Sequence, residues 1–150
     1  MTDVAAKLAE LEARIEALEG RPETAPAERG FVEYGGSVDF GGPVDWTIRY
    51  SAAAVVDLPA QARVDVLAAL GHPVRRALVE VLLDGPHTGA ELAEAVGLTS
   101  QGQLYHHVRA LSSAKIVEQH GRGAYRIPAQ KLVPLLIIMT AAADIAEVLR

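Results

Sequence analysis

Between Thr88 and Leu111 the chain reads TGAELAEAVGLTSQGQLYHHVRAL, and no other run restricts the fold as tightly. Thr88 is followed three residues later by Glu91, and Ser100 by Gln103. Each pair has the form of a capping box, in which a hydroxyl takes one orphan N–H of a helix start while the longer side chain reaches back to the cap. The spacing predicts a short helix from Gly89 to Val96, ended by Gly97, and a second from Ser100 to Leu111 or slightly beyond. Two helices three or four residues apart, with the small Ala93 at their crossing, have the spacing of a helix-turn-helix. Leu92, Val96, Leu98, Leu104, Val108 and Leu111 supply its shared core.

The flanking segments extend this unit. SAAAVVDLPAQARVDVLAAL reads as a helix closed by Gly71, and Pro73 opens the next at a first-turn position. Apolar residues at 74, 77, 78, 81 and 82 give that helix one buried face, and Asp84-Gly85-Pro86 stops it. KIVEQHGRGAYRIP predicts two short strands around Gly121-Arg122-Gly123, a wing with a charged tip. Lys131 to Leu149 ends the chain as a helix whose first half, LVPLLIIM, is apolar on every side and calls for a partner chain to cover it.

Two segments precede the unit. Val4, Leu8, Leu11, Ile15 and Leu18 form a heptad seam too short to stand alone. It either lies on the protein's own core or self-associates, and the linker from Gly20-Arg21-Pro22 through ETAPAERG favours self-association. The stretch VEYGGSVDFGGPVDW then repeats valine, acid and aromatic, with two Gly-Gly pairs between the copies. Gly-Gly is a hairpin signal, so residues 31–50 are expected to form a three-stranded meander, with Tyr34 opposite Ser37 and Phe40 opposite Pro43. One face would carry Val32, Tyr34, Val44, Trp46, Ile48 and Tyr50, and the other Glu33, Asp45, Thr47 and Arg49 with Phe31, Val38 and Phe40 among them. So small a sheet must cover something. Either it caps the winged core or the dimer seam, or Tyr34, Trp46 and Tyr50 line a pocket for a small organic effector.

The run AALGHPVRRALVEVLLDGPHTGAELAEAVGLTSQGQLYHHVRALSSAKIVEQHGRGAYRIP, Ala68 to Pro128, resembles the winged-helix repressors of the ArsR type. The LGHPVRRALVEVL opening, the helix-turn-helix and the HHVRAL recognition helix come in that family's order, and the terminal helix is similar to its dimerisation helix. The resemblance implies a homodimeric bacterial transcription repressor that releases DNA when an effector binds. Departures matter here. The chain has no cysteine, and its terminal helix carries Asp144 and Glu147 but no histidine, so the ligands of the family's metal-sensing branches are missing. His106 and His107 point about 100° apart on a helix and do not chelate one ion together. His72 is read as a helix-start residue, and His87 and His120 as surface histidines. No metal or other cofactor is expected.

With Leu104, Val108 and Leu111 turned inward, the second helix presents Gln101, Gln103, Tyr105, His106 and Arg109. Gln pairs with the edge of adenine and Arg with that of guanine. Ser100 and the helix N-terminus suit a phosphate. Arg122 at the wing tip suits a minor groove. Charge agrees: residues 1–57 hold eleven acids and five bases, whereas residues 98–128 hold Arg109, Lys115, Arg122 and Arg126 against Glu118 alone. A local basic surface on a chain of net charge -5 is the form of a confined nucleic-acid footprint.

No catalytic constellation or phosphate-binding glycine motif is present, so the protein is not expected to be an enzyme. The absence of cysteine, of a signal pattern and of a membrane-length apolar run points to the cytoplasm. The expected class is mainly α with small β elements. A coiled-coil helix (1–20), a linker (21–30) and a β-meander (31–50) precede a winged helix-turn-helix (51–128) and a dimerisation helix (129–150). Its expected partners are a double-stranded DNA operator, its own copies as dimer or tetramer, and a small organic effector. The competing reading is a winged-helix protein-interaction module, or an antirepressor, without sequence-specific DNA binding.

Overall fold

The computed structural model describes Lys7, residues 30–40 and residues 42–149. The Val4 to Leu18 seam and the linker through residue 29 therefore lie outside the described residues, Lys7 apart. The chain becomes a hairpin at once: β1 (Phe31–Asp39) pairs antiparallel with β2 (Pro43–Ser51). This corrects the meander. Tyr34 stands opposite Ile48 rather than Ser37, and Gly35 and Gly36 lie inside β1 opposite Thr47 and Trp46. The turn lies instead at Gly42 (φ +153°), which donates its N–H to Asp39 Oδ1 at 3.0 Å. The first pair serves close approach instead: a Cβ at Gly35 would lie 2.7 Å from the Trp46 carbonyl oxygen. Phe40 accordingly has no strand partner, and Val38 moves to the apolar face opposite Val44.

Helix α1 (Ala52–Asp57) follows directly, with the Ser51 hydroxyl accepting from Ala54 N–H. It is separated from α2 (Ala60–Leu70), where a single helix had been expected. Pro59 forces Leu58 into an extended conformation (ψ 149°), which ends α1. Arg63 then donates to the carbonyls of Val55, Val56 and Leu58, satisfying the broken end. Helix α3 spans Pro73–Leu83, as the proline start and the glycine stop predict. His72 is its cap, its Nδ1 accepting from Val74 N–H at 3.2 Å.

The winged unit comprises β3 (His87–Thr88), α4 (Gly89–Ala95), α5 (Gln101–Ser113), β4 (Glu118–Gln119) and β5 (Ala124–Arg126). Its sheet runs β3-β5-β4, so a third strand not foreseen ties the start of α4 to the wing. His87 pairs with Tyr125 there and is half-buried, not a surface residue. The last helix, α6, spans Ala129–Ile145. One core joins these parts: Leu78 and Leu82 of α3, Leu92 of α4, Leu104, Val108 and Leu111 of α5, Ile116, Val117 and Ile127 of the wing, and Leu132 and Leu135 of α6. Fully burying such side chains contributes about 1.5–3 kcal/mol each before entropy is charged against it. The hairpin lies on α6, with Val38 and Val44 against the core and Val133 Cγ1 3.4 Å from where a Gly36 Cβ would stand. Part of the apolar helix is thus covered by the chain's own hairpin, not by a partner.

Candidate nucleic-acid interface

Helix α5 is placed by its inner face. Leu104, Val108 and Leu111 are buried, which turns Gln101, Gln103, Tyr105, His106 and Arg109 outward, all exposed. Gln101, Tyr105 and Arg109 follow at four-residue spacing and make one ridge, with Gln103 and His106 beside it. Tyr105 is 63% exposed and does not pack under the wing. Arg109 takes part in none of the ion pairs found among the described residues.

The two capping boxes differ. At Thr88 both arms form: the hydroxyl accepts from Glu91 N–H at 3.3 Å, and Glu91 Oε2 accepts from Thr88 N–H at 2.7 Å. The backbone bond from Thr88, then its hydroxyl, hold the Glu91 carboxyl below its ordinary range. At Ser100 the second box is absent. Ser100 is the N-cap residue by backbone, but its side chain makes no cap bond, so its hydroxyl and the first N–H groups of α5 are left for an outside acceptor. Gln103 is released from the cap in the same way.

Across the wing, Arg126 Nε bonds Glu118 Oε1 at 2.7 Å, which takes that cation out of the basic surface. Arg122 is exposed at the tip between Gly121 (φ +67°) and Gly123 (φ +70°), a reversal that glycine makes at no steric cost. The His120 N–H to Ala124 carbonyl bond, 2.8 Å, closes the turn.

The aromatic trio divides. Tyr34 and Trp46 are half-buried on the hairpin face that meets α6, while Tyr50 is exposed on the same side. Trp46 Nε1 is buried with no acceptor. Among the described residues two cavities lie elsewhere, neither lined by this trio. One of about 380 Å³ is lined by Asp65, Ala68, Ala69, Arg75, Ala110, Ser113 and Ala114. The other, about 400 Å³, lies among Leu67, Leu70, Val79, Ile138, Met139 and Ala142, with Arg76 and Glu80 at its edge. Arg75 was not singled out by sequence, and His107 was considered only with His106 as a pair that does not chelate an ion. His107 turns inward from α5, its ring centroid 4.8 Å from that of His72, and its Nδ1 is buried without a partner. Burial first, then His72, Arg75 and His106, push its pKa down. Among the described residues no group of three or more His, Cys, Asp or Glu could hold a metal, and no helix is long and apolar enough to cross a membrane.

A recognition helix with an outward polar ridge, preceded by a capped short helix and followed by a glycine-tipped wing, defines the winged helix-turn-helix class. Residues 70–120 match the family model described as a helix-turn-helix domain. The chain is 32% identical to a possible transcriptional regulator for arsenical resistance, over 53% of this chain and 84% of that one, with a TM-score of 0.43. It is 27% identical to the transcriptional repressor BigR from Xylella fastidiosa over 63% and 95% of the two chains, TM-score 0.49. It is 25% identical to the homodimeric winged helix-turn-helix DNA-binding domain of a possible ArsR-family regulator from Mycobacterium bovis, over 61% and 83%, TM-score 0.48. None of the curated proteins matches the chain. The chain therefore carries a helix-turn-helix domain over residues 70–120, and the strands that follow it give the domain its winged form.

Proposed function

We infer that the protein is a cytoplasmic, homodimeric repressor that reads a double-stranded DNA operator with α5 and the wing tip. The observation that carries this is the exposed row Gln101, Gln103, Tyr105, His106 and Arg109, with Ser100 uncommitted at the head of the same helix. Gln103 and Arg109 are the base readers, Ser100 a phosphate contact, and Arg122 the minor-groove contact. Substituting Gln103→Ala with Arg109→Ala abolishes a specific operator shift while leaving the thermal midpoint unchanged. Arg122→Ala lowers the slope of log affinity against log salt by about one unit. Specific binding that survives the double substitution would assign this face to protein contact, the interaction-module reading.

Dimerisation is supported by apolar surface at α2 and the end of α6. Leu67 is 58% exposed and Ile145 85%, a surface that a single copy leaves in water. The effector is organic rather than metallic, since the family's metal ligands are missing from the sequence. A site at Tyr34, Trp46 and Tyr50 is supported by the unpartnered Trp46 Nε1.

A further inference from the structure

The 380 Å³ cavity carries one cation and one anion that do not answer each other. Arg75, in the first turn of α3, reaches back to the end of α2, where Nε donates to the Ala69 carbonyl (2.7 Å) and Nη2 to the Ala68 carbonyl (2.8 Å). Two bonds to consecutive carbonyls fix the plane of the guanidinium. Its neighbour Arg76 pairs with Glu80, but none of the ion pairs among the described residues involves Arg75. Asp65 lines the same cavity from one turn earlier on α2, its Oδ1 taking only the Gln61 amide at 2.7 Å. The remaining lining is small: Ala68 and Ala69 from α2, and Ala110, Ser113 and Ala114 from the end of α5.

We propose that this cavity binds a small aliphatic α-amino acid, its carboxylate on Arg75 and its ammonium on Asp65. A plain carboxylate would gain Arg75 but meet the charge of Asp65, and a plain amine would meet the reverse conflict. A zwitterion satisfies both wall charges with charge-assisted hydrogen bonds. The alanine methyls leave room for a short apolar side chain and offer no further polar group to a long one. Because α2 and α3 supply the charges and α5 the far wall, an occupant sets the distance between α2 and the helix that carries Gln101 to Arg109. That coupling rests on the DNA-reading function, whereas the binding itself does not.

The test uses the full chain without DNA. L-leucine is titrated while the amide resonances of Ala69, Arg75, Ala110 and Ala114 are followed, with isovalerate and isoamylamine as probes that each lack one charge. Saturable shifts with L-leucine, about tenfold weaker affinity for either single-charge probe, and a similar loss in Asp65→Asn are expected. Asp65 is exposed, so that variant keeps the fold, and Ser113→Phe, also at an exposed position, blocks the cavity from its rim and removes the shifts. No saturable shift with L-leucine, equal binding of isovalerate, or shifts that persist in Ser113→Phe would each overturn the proposal. An operator-binding assay is run separately, so failure of the DNA reading does not register as failure of this site.

Discussion

His107 is a titratable ring on the inward side of α5, where burial first and then three neighbouring groups disfavour its charged form. His72 from the α3 cap faces it at 4.8 Å, His106 stands beside it at 5.8 Å, and Arg75 adds a fixed positive charge. Burial and these neighbours hold its folded pKa below the ordinary 6.5. Above pH 6.5 it is neutral in folded and unfolded chains alike, so stability is undiminished there. As pH falls below 6.5 the unfolded chain takes the proton first, and stability falls until the folded value is passed. Glu91 loses its own contribution only as pH drops below its ordinary 4.5 and through its lowered folded value, so the window from 6.5 down to 5 isolates the histidine from it. His107→Leu is expected to flatten the decline of the urea midpoint across that window. At pH 7.5 it changes stability by about 1 kcal/mol or less, because the lost ring nitrogen had no partner. An unaltered slope would place the acid sensitivity elsewhere.

At the scale of elements, the hairpin is the test of how two adjacent glycines differ. Gly35 faces the partner strand, where a Cβ would meet the Trp46 carbonyl oxygen at 2.7 Å and Thr47 Oγ1 at 2.9 Å. Gly36 faces α6, where the nearest atom is Val133 Cγ1 at 3.4 Å. Gly35→Ala must shift backbone and is expected to cost about 1–3 kcal/mol, whereas Gly36→Ala costs about 1 kcal/mol or less because one methyl can give way. Urea unfolding followed by the fluorescence of Trp46, which lies in the same ladder, measures both. Equal costs would mean that the hairpin is held by its seat on α6 and not by its ladder. The repeat also shows what pattern reading misses: both Gly-Gly pairs look like turns, and only tertiary contact tells a strand glycine from a turn glycine.

For the whole molecule, the question is how the remaining apolar surface is covered. The hairpin and the winged core bury Leu132, Val133 and Leu135 of α6, but Leu136 to Met139 are half-buried and Ile145, Val148 and Leu149 are exposed. A second copy seated on this end and on Leu67 would remove that surface from water, worth about 25 cal/mol per Å² of apolar area. Ile145→Asp with Leu149→Asp is therefore expected to yield monomers in light scattering and to weaken operator binding. Deleting residues 1–22 should reduce a tetramer to a dimer if the heptad seam joins dimers. A protein that stays dimeric with both aspartates in place would exclude the end of α6 and the residues after it from the interface.

Local order was written in the sequence wherever neighbours along the chain supply the physics. The Thr88–Glu91 box, the Pro73 start, the inward set Leu104, Val108 and Leu111 and the glycine-flanked wing tip are all settled within a few residues, and so was the outward row from Gln101 to Arg109. Ser100 lacks its expected side-chain bond although the pattern was equally good and Thr88, just as exposed, makes its own. The rest depended on elements far apart in the chain. Strand β3 exists because Tyr125 and Ala124 come beside it, Gly35 is extended because Thr47 lies across from it, and the hairpin covers α6 about a hundred residues away. The cavity of Asp65 and Arg75 has a far wall only because Ala110, Ser113 and Ala114 of α5 come beside α2. Periodicity reports which face of an element must be buried; which element buries it is decided by packing in three dimensions.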